Sequence, residues 1–254
     1  MPPPQVSIPE SASKGRERFR KAREVVERAI EARAFPGAAW GVLLNGEVVA
    51  LDAAGRFTYE PDAPEVTPTT IFDLASLTKV MVTTAMAMVL CDKGRANRAR
   101  FQQEPRGVLD LDARLGDVLP GFVIGMEPGS HKERVTMRML LAHSSGLPGY
   151  GRLFEKNHTP EAMLRAALHT PLEAPPGTTR ALGWDTPSEP SSSGRHFSPG
   201  SIGHLGYAGT SLWIDPERRL AVVLLTNRTW PDRSNKAIQE VRPAFHDAVA
   251  EGIN

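Results

Sequence analysis

Hydrophobic and polar positions follow two rhythms along the chain, one strand-like near both ends and one helical between them. From Ser13 to Ala34 the chain is charged, and Phe19, Val25, Val26, Ala29 and Ile30 recur at helical spacing, so this stretch predicts an amphipathic helix. Phe35-Pro36-Gly37 ends it. Ala38 to Leu44, Asn45-Gly46 and Glu47 to Asp52 then read as a hairpin, two β-prone runs joined by the residues a type I′ turn prefers. Gly55 to Thr70 is loop-like. Next comes Phe72-Asp73-Leu74-Ala75-Ser76-Leu77-Thr78-Lys79, a polar entry to the largely apolar run Val80 to Leu90, which holds no Gly or Pro and predicts a buried helix.

Further helical signals follow at Leu109 to Pro120, a short turn-and-helix segment, and at Val135 to Ala142, which His143-Ser144-Ser145-Gly146 closes as a helix terminus. Thr159 to His169 is another helix, with Pro160 in its first turn. Residues 171–200 are dense in Pro, Gly and Ser and predict irregular structure. Gly206 to Ile214 and Leu220 to Asn227 are strand-like around the turn Asp215 to Arg219, and Asn235 to Ala250 closes the chain as a helix. Strands at both ends with helices between predict an α+β fold: one antiparallel sheet built from the N- and C-terminal strands, flanked by helices, with a helical lobe inserted. Residues 1–11 read as a disordered arm and 12–254 as one domain, its sheet lobe 12–70 and 183–254 and its helical lobe 71–182.

Composition narrows the function. The 254 residues suffice for a real core, and a net charge of +1 gives no support for nucleic acid or an acidic membrane as partner. The Arg-rich stretch Lys93 to Arg106 carries a single aromatic residue, Phe101, without the repeated aromatic interleaving of a base-stacking surface, and reads as a solvated insertion. A single cysteine, Cys91, excludes an internal disulfide framework and reads as a structural thiol. The seven histidines are scattered without metal-ligand spacing, so neither a metal nor another cofactor is expected. No leader or membrane-spanning run is visible, which predicts a soluble cytoplasmic protein.

The chemistry concentrates at Ser76 and Lys79. On a helix, residues three apart share a face, so hydroxyl and amine can meet. A serine hydroxyl becomes a strong nucleophile only when a neighbouring base takes its proton. A lysine held against apolar walls loses solvation of its charged form and can be that base. The N–H groups at a helix start can stabilise charge growing on a substrate carbonyl. On the residues alone a second reading stays open, a capping serine with a solvated lysine one turn on.

Four stretches, in order, resemble the serine β-lactamase and penicillin-binding protein superfamily, especially its class C-like branch of esterases and D-amino-acid peptidases. They are Phe72 to Lys79; Leu109-Asp110-Leu111-Asp112 with Leu119-Pro120; Val135-Thr136 with Leu140 to Pro148; and Gly203-His204-Leu205-Gly206-Tyr207-Ala208-Gly209-Thr210-Ser211 running to Thr226-Asn227. The resemblance implies a β-lactamase/transpeptidase-like fold, with Ser76 the acylated nucleophile and Lys79 the residue that deprotonates it. His204-Leu205-Gly206 matches the branch's variant of the Lys-Thr-Gly motif, so His204 would orient substrate or help move protons. The oxyanion hole would use the backbone N–H groups of Ser76 and Tyr207, beside Gly206. Without the resemblance, His204 reads as a strand-edge histidine facing solvent.

One element of the pattern is missing. Relatives carry Tyr-x-Asn a few residues after Pro-Pro-Gly-Thr, but here Thr179-Arg180-Ala181-Leu182-Gly183-Trp184 follows Pro175-Pro176-Gly177-Thr178. A block that relatives carry is inferred lost at Thr179 to Ala181, shortening the helical lobe and uncovering apolar surface for self-association. Two functions therefore compete: a serine hydrolase of small esters, amides or β-lactams through an acyl-enzyme at Ser76, and a catalytically silent or acylation-only binding member of the same fold.

Overall fold

The computed structural model describes residues 15–92, 109–177 and 183–253. The expected arm at 1–11, the Arg-rich stretch 93–106 and the inferred junction at 179–181 lie outside the described residues. The chain divides into two units, one of residues 1–78 with 185–254 and the other of residues 79–184.

The first unit is built on a five-stranded sheet of β1 (Gly37–Leu44), β2 (Glu47–Gly55), β3 (Ile202–Leu205), β4 (Ser211–Asp215) and β5 (Leu220–Thr226) in the order β2-β1-β5-β4-β3. Every pairing is antiparallel, and β1 joins the early hairpin to the late strands by pairing with β5, Trp40 opposite Leu224. At the hairpin, Asn45 (φ 55°) and Gly46 (φ 85°) both take the positive φ that a type I′ turn demands. Alternation fixes which face is buried. Leu220, Val222 and Leu224 of β5 point into the core with Trp213, Trp40 and Val42, while their neighbours on β5 are only half-buried.

Two helices cover that face. α1 (Arg20–Glu31) contributes Ala22, Val26 and Ala29, and α5 (Ile238–Glu251) contributes Ile238, Phe245, Ala248 and Val249. Phe245 meets Trp40 edge-on with ring centroids 6.2 Å apart, and Phe197 meets Trp213 in the same way at 6.3 Å. Each of these large side chains contributes about 1.5–3 kcal/mol by leaving water. A buried carboxylate ends β4. Burial alone would raise the pKa of Asp215, but N–H bonds from Ser198 (2.8 Å) and Arg218 (3.1 Å) hold it below its ordinary range.

One expected strand is corrected here. The run Gly206 to Ile214 is not continuous: Gly206 to Thr210 form a turn between two short strands, β3 and β4, that pair with each other. Gly206 N–H reaches Thr210 O at 2.8 Å, and Gly209, at φ 100°, donates to Gly206 O at 3.0 Å. Glycine's freedom at positive φ breaks what β-prone side chains alone would extend.

The second unit is helical. It includes α2 (Leu115–Val118), α3 (Met137–Leu141) and α4 (Pro160–His169). Threonine hydroxyls cap the last two, Thr136 accepting from Met139 N–H and Thr159 from Ala162 N–H. Leu115, Phe122 and Val135 form its small core. Lys132 is buried there; its Nζ donates to Leu168 O at 2.8 Å and lies 4.4 Å from the Phe122 ring centroid, and burial lowers its pKa. His143 (φ 52°) follows the C-cap Ala142, so this Ser- and His-containing stretch ends a helix, as expected.

The helix after Ser76 differs from expectation. Residues 77–92 are helical throughout, but Lys79–Thr84 form a π-helix. Leu77, Val80, Thr84 and Ala87 are buried, whereas Met81, Val82, Met86, Met88, Val89 and Leu90 are exposed. The helix is therefore one-sided, not buried all round, although its composition is apolar on every face.

Candidate functional site

Ser76 lies in the turn directly before the 77–92 helix and is half-buried. The segment that delivers it is constrained twice. The Ala75 N–H donates to Asp73 Oδ1 at 2.8 Å, and Ala75 takes φ 48°, a left-handed conformation that costs a residue with a Cβ about 1–2 kcal/mol. Backbone strain of this kind points to a site where side-chain position matters more than local comfort. One residue earlier, the Leu74 carbonyl accepts a hydrogen bond from Thr210 Oγ1 at 3.1 Å. The approach to Ser76 is thereby tied to the turn that carries Gly206 and Tyr207.

Gly206 is required by that closeness. A Cβ there would lie 1.9 Å from Thr210 Oγ1 and 2.8 Å from Leu74 O, so no larger residue lets the turn sit against the Ser76 segment. Tyr207 follows, 60% exposed as a residue, with the Arg228 guanidinium 4.7 Å from its ring centroid. Arg228 Nε also donates to Tyr207 O at 2.9 Å. The Tyr207 N–H donates to no group among the described residues.

His204 sits on β3, the last strand of the sheet order, opposite Leu212. Its Nδ1 is 2.8 Å from the Leu205 carbonyl oxygen. A carbonyl only accepts, so this contact puts the proton on Nδ1 and leaves Nε2 as the basic nitrogen of the neutral ring. The half-buried ring is neither the free solvent-facing histidine of the simpler reading nor sealed in the core.

Lys79 is the first residue of the second unit and is exposed. The sequence predicts an amine sheltered by apolar walls; here the lysine lies at the surface of a helix whose apolar side chains are themselves largely open to water. Ser76, His204, Gly206 and Tyr207 all belong to the first unit.

Sequence reasoning missed two arginines. Arg242, on α5, is only 6% exposed, and its Nη2 donates to Gly206 O at 2.8 Å and to Thr210 O at 2.9 Å. Burial, with Arg228 nearby, pushes its pKa down to about 10. One helical turn on, fully buried His246 has Nε2 3.1 Å from Ser211 Oγ, and burial together with Arg242 pushes its pKa down to about 3. A signal existed: Ile238, Arg242, Phe245, His246 and Val249 share the apolar face of the helix, where an arginine and a histidine are out of place. The second arginine, Arg228, follows the strand run directly and carries no such mark.

The family model described as Beta-lactamase matches residues 22–181 and 178–243, two stretches that meet where the sequence predicts a lost block. A penicillin-binding protein 4 from Amycolatopsis lactamdurans is 32% identical over 114 residues, which is 45% of this chain and 25% of that protein. Among solved structures, "EstCE1, a hydrolase with promiscuous acyltransferase activity" superposes with a TM-score of 0.69 at 14% identity, over 92% of this chain and 100% of that one. A class C β-lactamase mutant gives 0.66 at 12% identity, over 95% and 99% of the two chains.

Proposed function

The chain belongs to the β-lactamase family, a family of hydrolases within the serine β-lactamase and penicillin-binding protein superfamily, and on that premise we propose that it is a serine hydrolase of small esters, amides or β-lactams. Ser76 Oγ adds to the substrate carbonyl carbon and gives its proton to Lys79 Nζ. The carbonyl oxygen, now negative, takes hydrogen bonds from the N–H groups of Ser76 and Tyr207. Collapse of the tetrahedral intermediate breaks the bond to the alcohol or amine, which leaves with that proton, and the acyl group stays on Ser76. Water then adds to the acyl carbon, and Ser76 Oγ departs with a proton. His204, with Nε2 as its basic nitrogen, is the group to orient substrate or relay protons.

The observation that carries this reading is the Thr210–Leu74 hydrogen bond, which couples the strained approach to Ser76 with the turn bearing Tyr207. Hydrolysis of p-nitrophenyl butyrate or nitrocefin above background, abolished by Ser76→Ala in a folded protein, tests it. A second reading rests on its own observations: the chain has no Tyr-x-Asn, and Lys79 is exposed. General acid–base help is worth about 10²–10⁴ in rate, so a member lacking part of it would acylate and then release slowly, or bind without turnover. A stoichiometric burst without a steady rate identifies the acylation-only form.

A further inference from the structure

The direction of the Tyr207 N–H is set by the peptide that carries it. That N–H and the Gly206 carbonyl belong to one planar peptide group. Arg242 Nη2 donates to the Gly206 carbonyl (2.8 Å) and also to the Thr210 carbonyl (2.9 Å), so one guanidinium nitrogen holds both ends of the turn. Each of those carbonyls is already an acceptor within the turn, from Gly209 N–H and Gly206 N–H respectively. On the next peptide Arg228 Nε holds the Tyr207 carbonyl at 2.9 Å.

The cation under the turn is costly. Arg242 is buried beside Phe245 and His246 on a helix face whose other members are apolar, and the charge that acts on it most is another cation, Arg228. Packing alone would be served by an aliphatic side chain. What a guanidinium adds is a pair of charge-assisted hydrogen bonds to the turn's carbonyls. A hydrogen bond to a peptide oxygen also polarises that peptide and strengthens its N–H as a donor.

We propose that Arg242 is a positioning residue: its bond to the Gly206 oxygen sets the plane of the Gly206–Tyr207 peptide and sharpens the Tyr207 N–H as an oxyanion donor. This rests on the acyl-transfer reading above. The second point of support is Thr210. Its hydroxyl reaches Leu74 and its carbonyl reaches Arg242, so the residue that anchors the Ser76 segment is itself anchored from below.

The test compares the wild-type protein with Arg242→Met and Arg242→Lys, by the acylation rate with p-nitrophenyl butyrate and by hydrogen exchange of the amides at 206–210. Losing a whole oxyanion donor costs about 10²–10³ in rate, so Arg242→Met should lose about tenfold to a hundredfold with KM nearly unchanged. Arg242→Lys should recover part of the loss, because an ammonium still donates to both carbonyls. Exchange at 206–210 should quicken in Arg242→Met while the β1–β5 amides keep their protection. A folded Arg242→Met with wild-type rate and wild-type exchange in the turn overturns the proposal. If Arg242→Met does not fold, Arg242→Gln, which keeps an amide NH2 donor on a shorter side chain and loses the charge, is read in the same way. Should the wild-type protein show no acylation, the functional reading falls and the oxyanion role of Arg242 with it; the exchange data then still decide whether Arg242 fixes the turn.

Discussion

Thr210 and Leu74 stand 136 positions apart in the chain, yet the Thr210 hydroxyl donates to the Leu74 carbonyl at 3.1 Å. This contact brings the segment that ends in Ser76 against the turn between β3 and β4. Gly206 is the residue that lets it form, and Arg242 grips the same turn from the helix below. A nucleophile candidate, an oxyanion-donor candidate and their common anchor therefore lie within one unit of the protein.

Gly206→Ala tests the close approach. The added Cβ would meet Thr210 Oγ1 and Leu74 O well inside contact distance, and overpacking of this kind costs about 1–3 kcal/mol. Urea unfolding should show a lower midpoint with an unchanged slope. Retained stability together with lost acylation would instead show that the turn moves away from Leu74 without straining the rest of the sheet.

The pH dependence of stability follows from His246. Its folded-state pKa is depressed from 6.5 to about 3 by burial and by Arg242. The unfolded chain then binds the extra proton at a higher pH than the folded one. The stability associated with the neutral ring is complete above about pH 6.5 and is lost as the pH falls from there towards 3. The slope approaches about 1.4 kcal/mol per pH unit. The depressed carboxyl of Asp215 acts in the same direction, but only at the lower end of this range. Urea unfolding between pH 7 and 4.5 should show the slope, and His246→Gln should flatten it while lowering stability at pH 7.

The one-sided helix after Ser76 gives a contrasting pair. Leu77 is fully buried, so Leu77→Ala should cost about 2–5 kcal/mol. Met88 is 65% exposed, so Met88→Lys should change stability by less than about 0.5 kcal/mol despite placing a charge in an apolar sequence. Thermal unfolding of the two variants distinguishes this helix from one buried on all sides, for which both changes would be severe.

Much of the fold was readable from local chemistry. Asn45-Gly46 announced the hairpin because only residues tolerant of positive φ suit a type I′ turn, and Thr159-Pro160 announced a helix start through a hydroxyl cap and a missing N–H. The short strand β3 was not legible. Ile202 to Leu205 is brief and contains a glycine, which is there because a Cβ at Gly203 would enter the Trp213 ring on the paired strand. The turn Gly206 to Thr210 looked like strand because Tyr, Ala and Thr are compatible with one; the deciding contact comes from Thr226, whose hydroxyl occupies the space beside Gly209.

At the candidate site, Ser76, His204, Gly206 and Tyr207 were marked by motif. The exposure of Lys79 was not, because whether an amine is sheltered depends on segments distant in sequence. Arg242 was overlooked for the opposite reason. A charged residue in a C-terminal helix reads as solvated until the apolar residues at helical spacing around it are counted.

The central claim, that Ser76 is an acyl-accepting nucleophile, is tested most directly by peptide mass spectrometry after exposure to a fluorophosphonate. The account predicts one adduct per chain on the peptide containing Ser76, and none in a folded Ser76→Ala variant. A folded wild-type protein whose Ser76 stays unmodified under conditions that fully label a control serine esterase would contradict it.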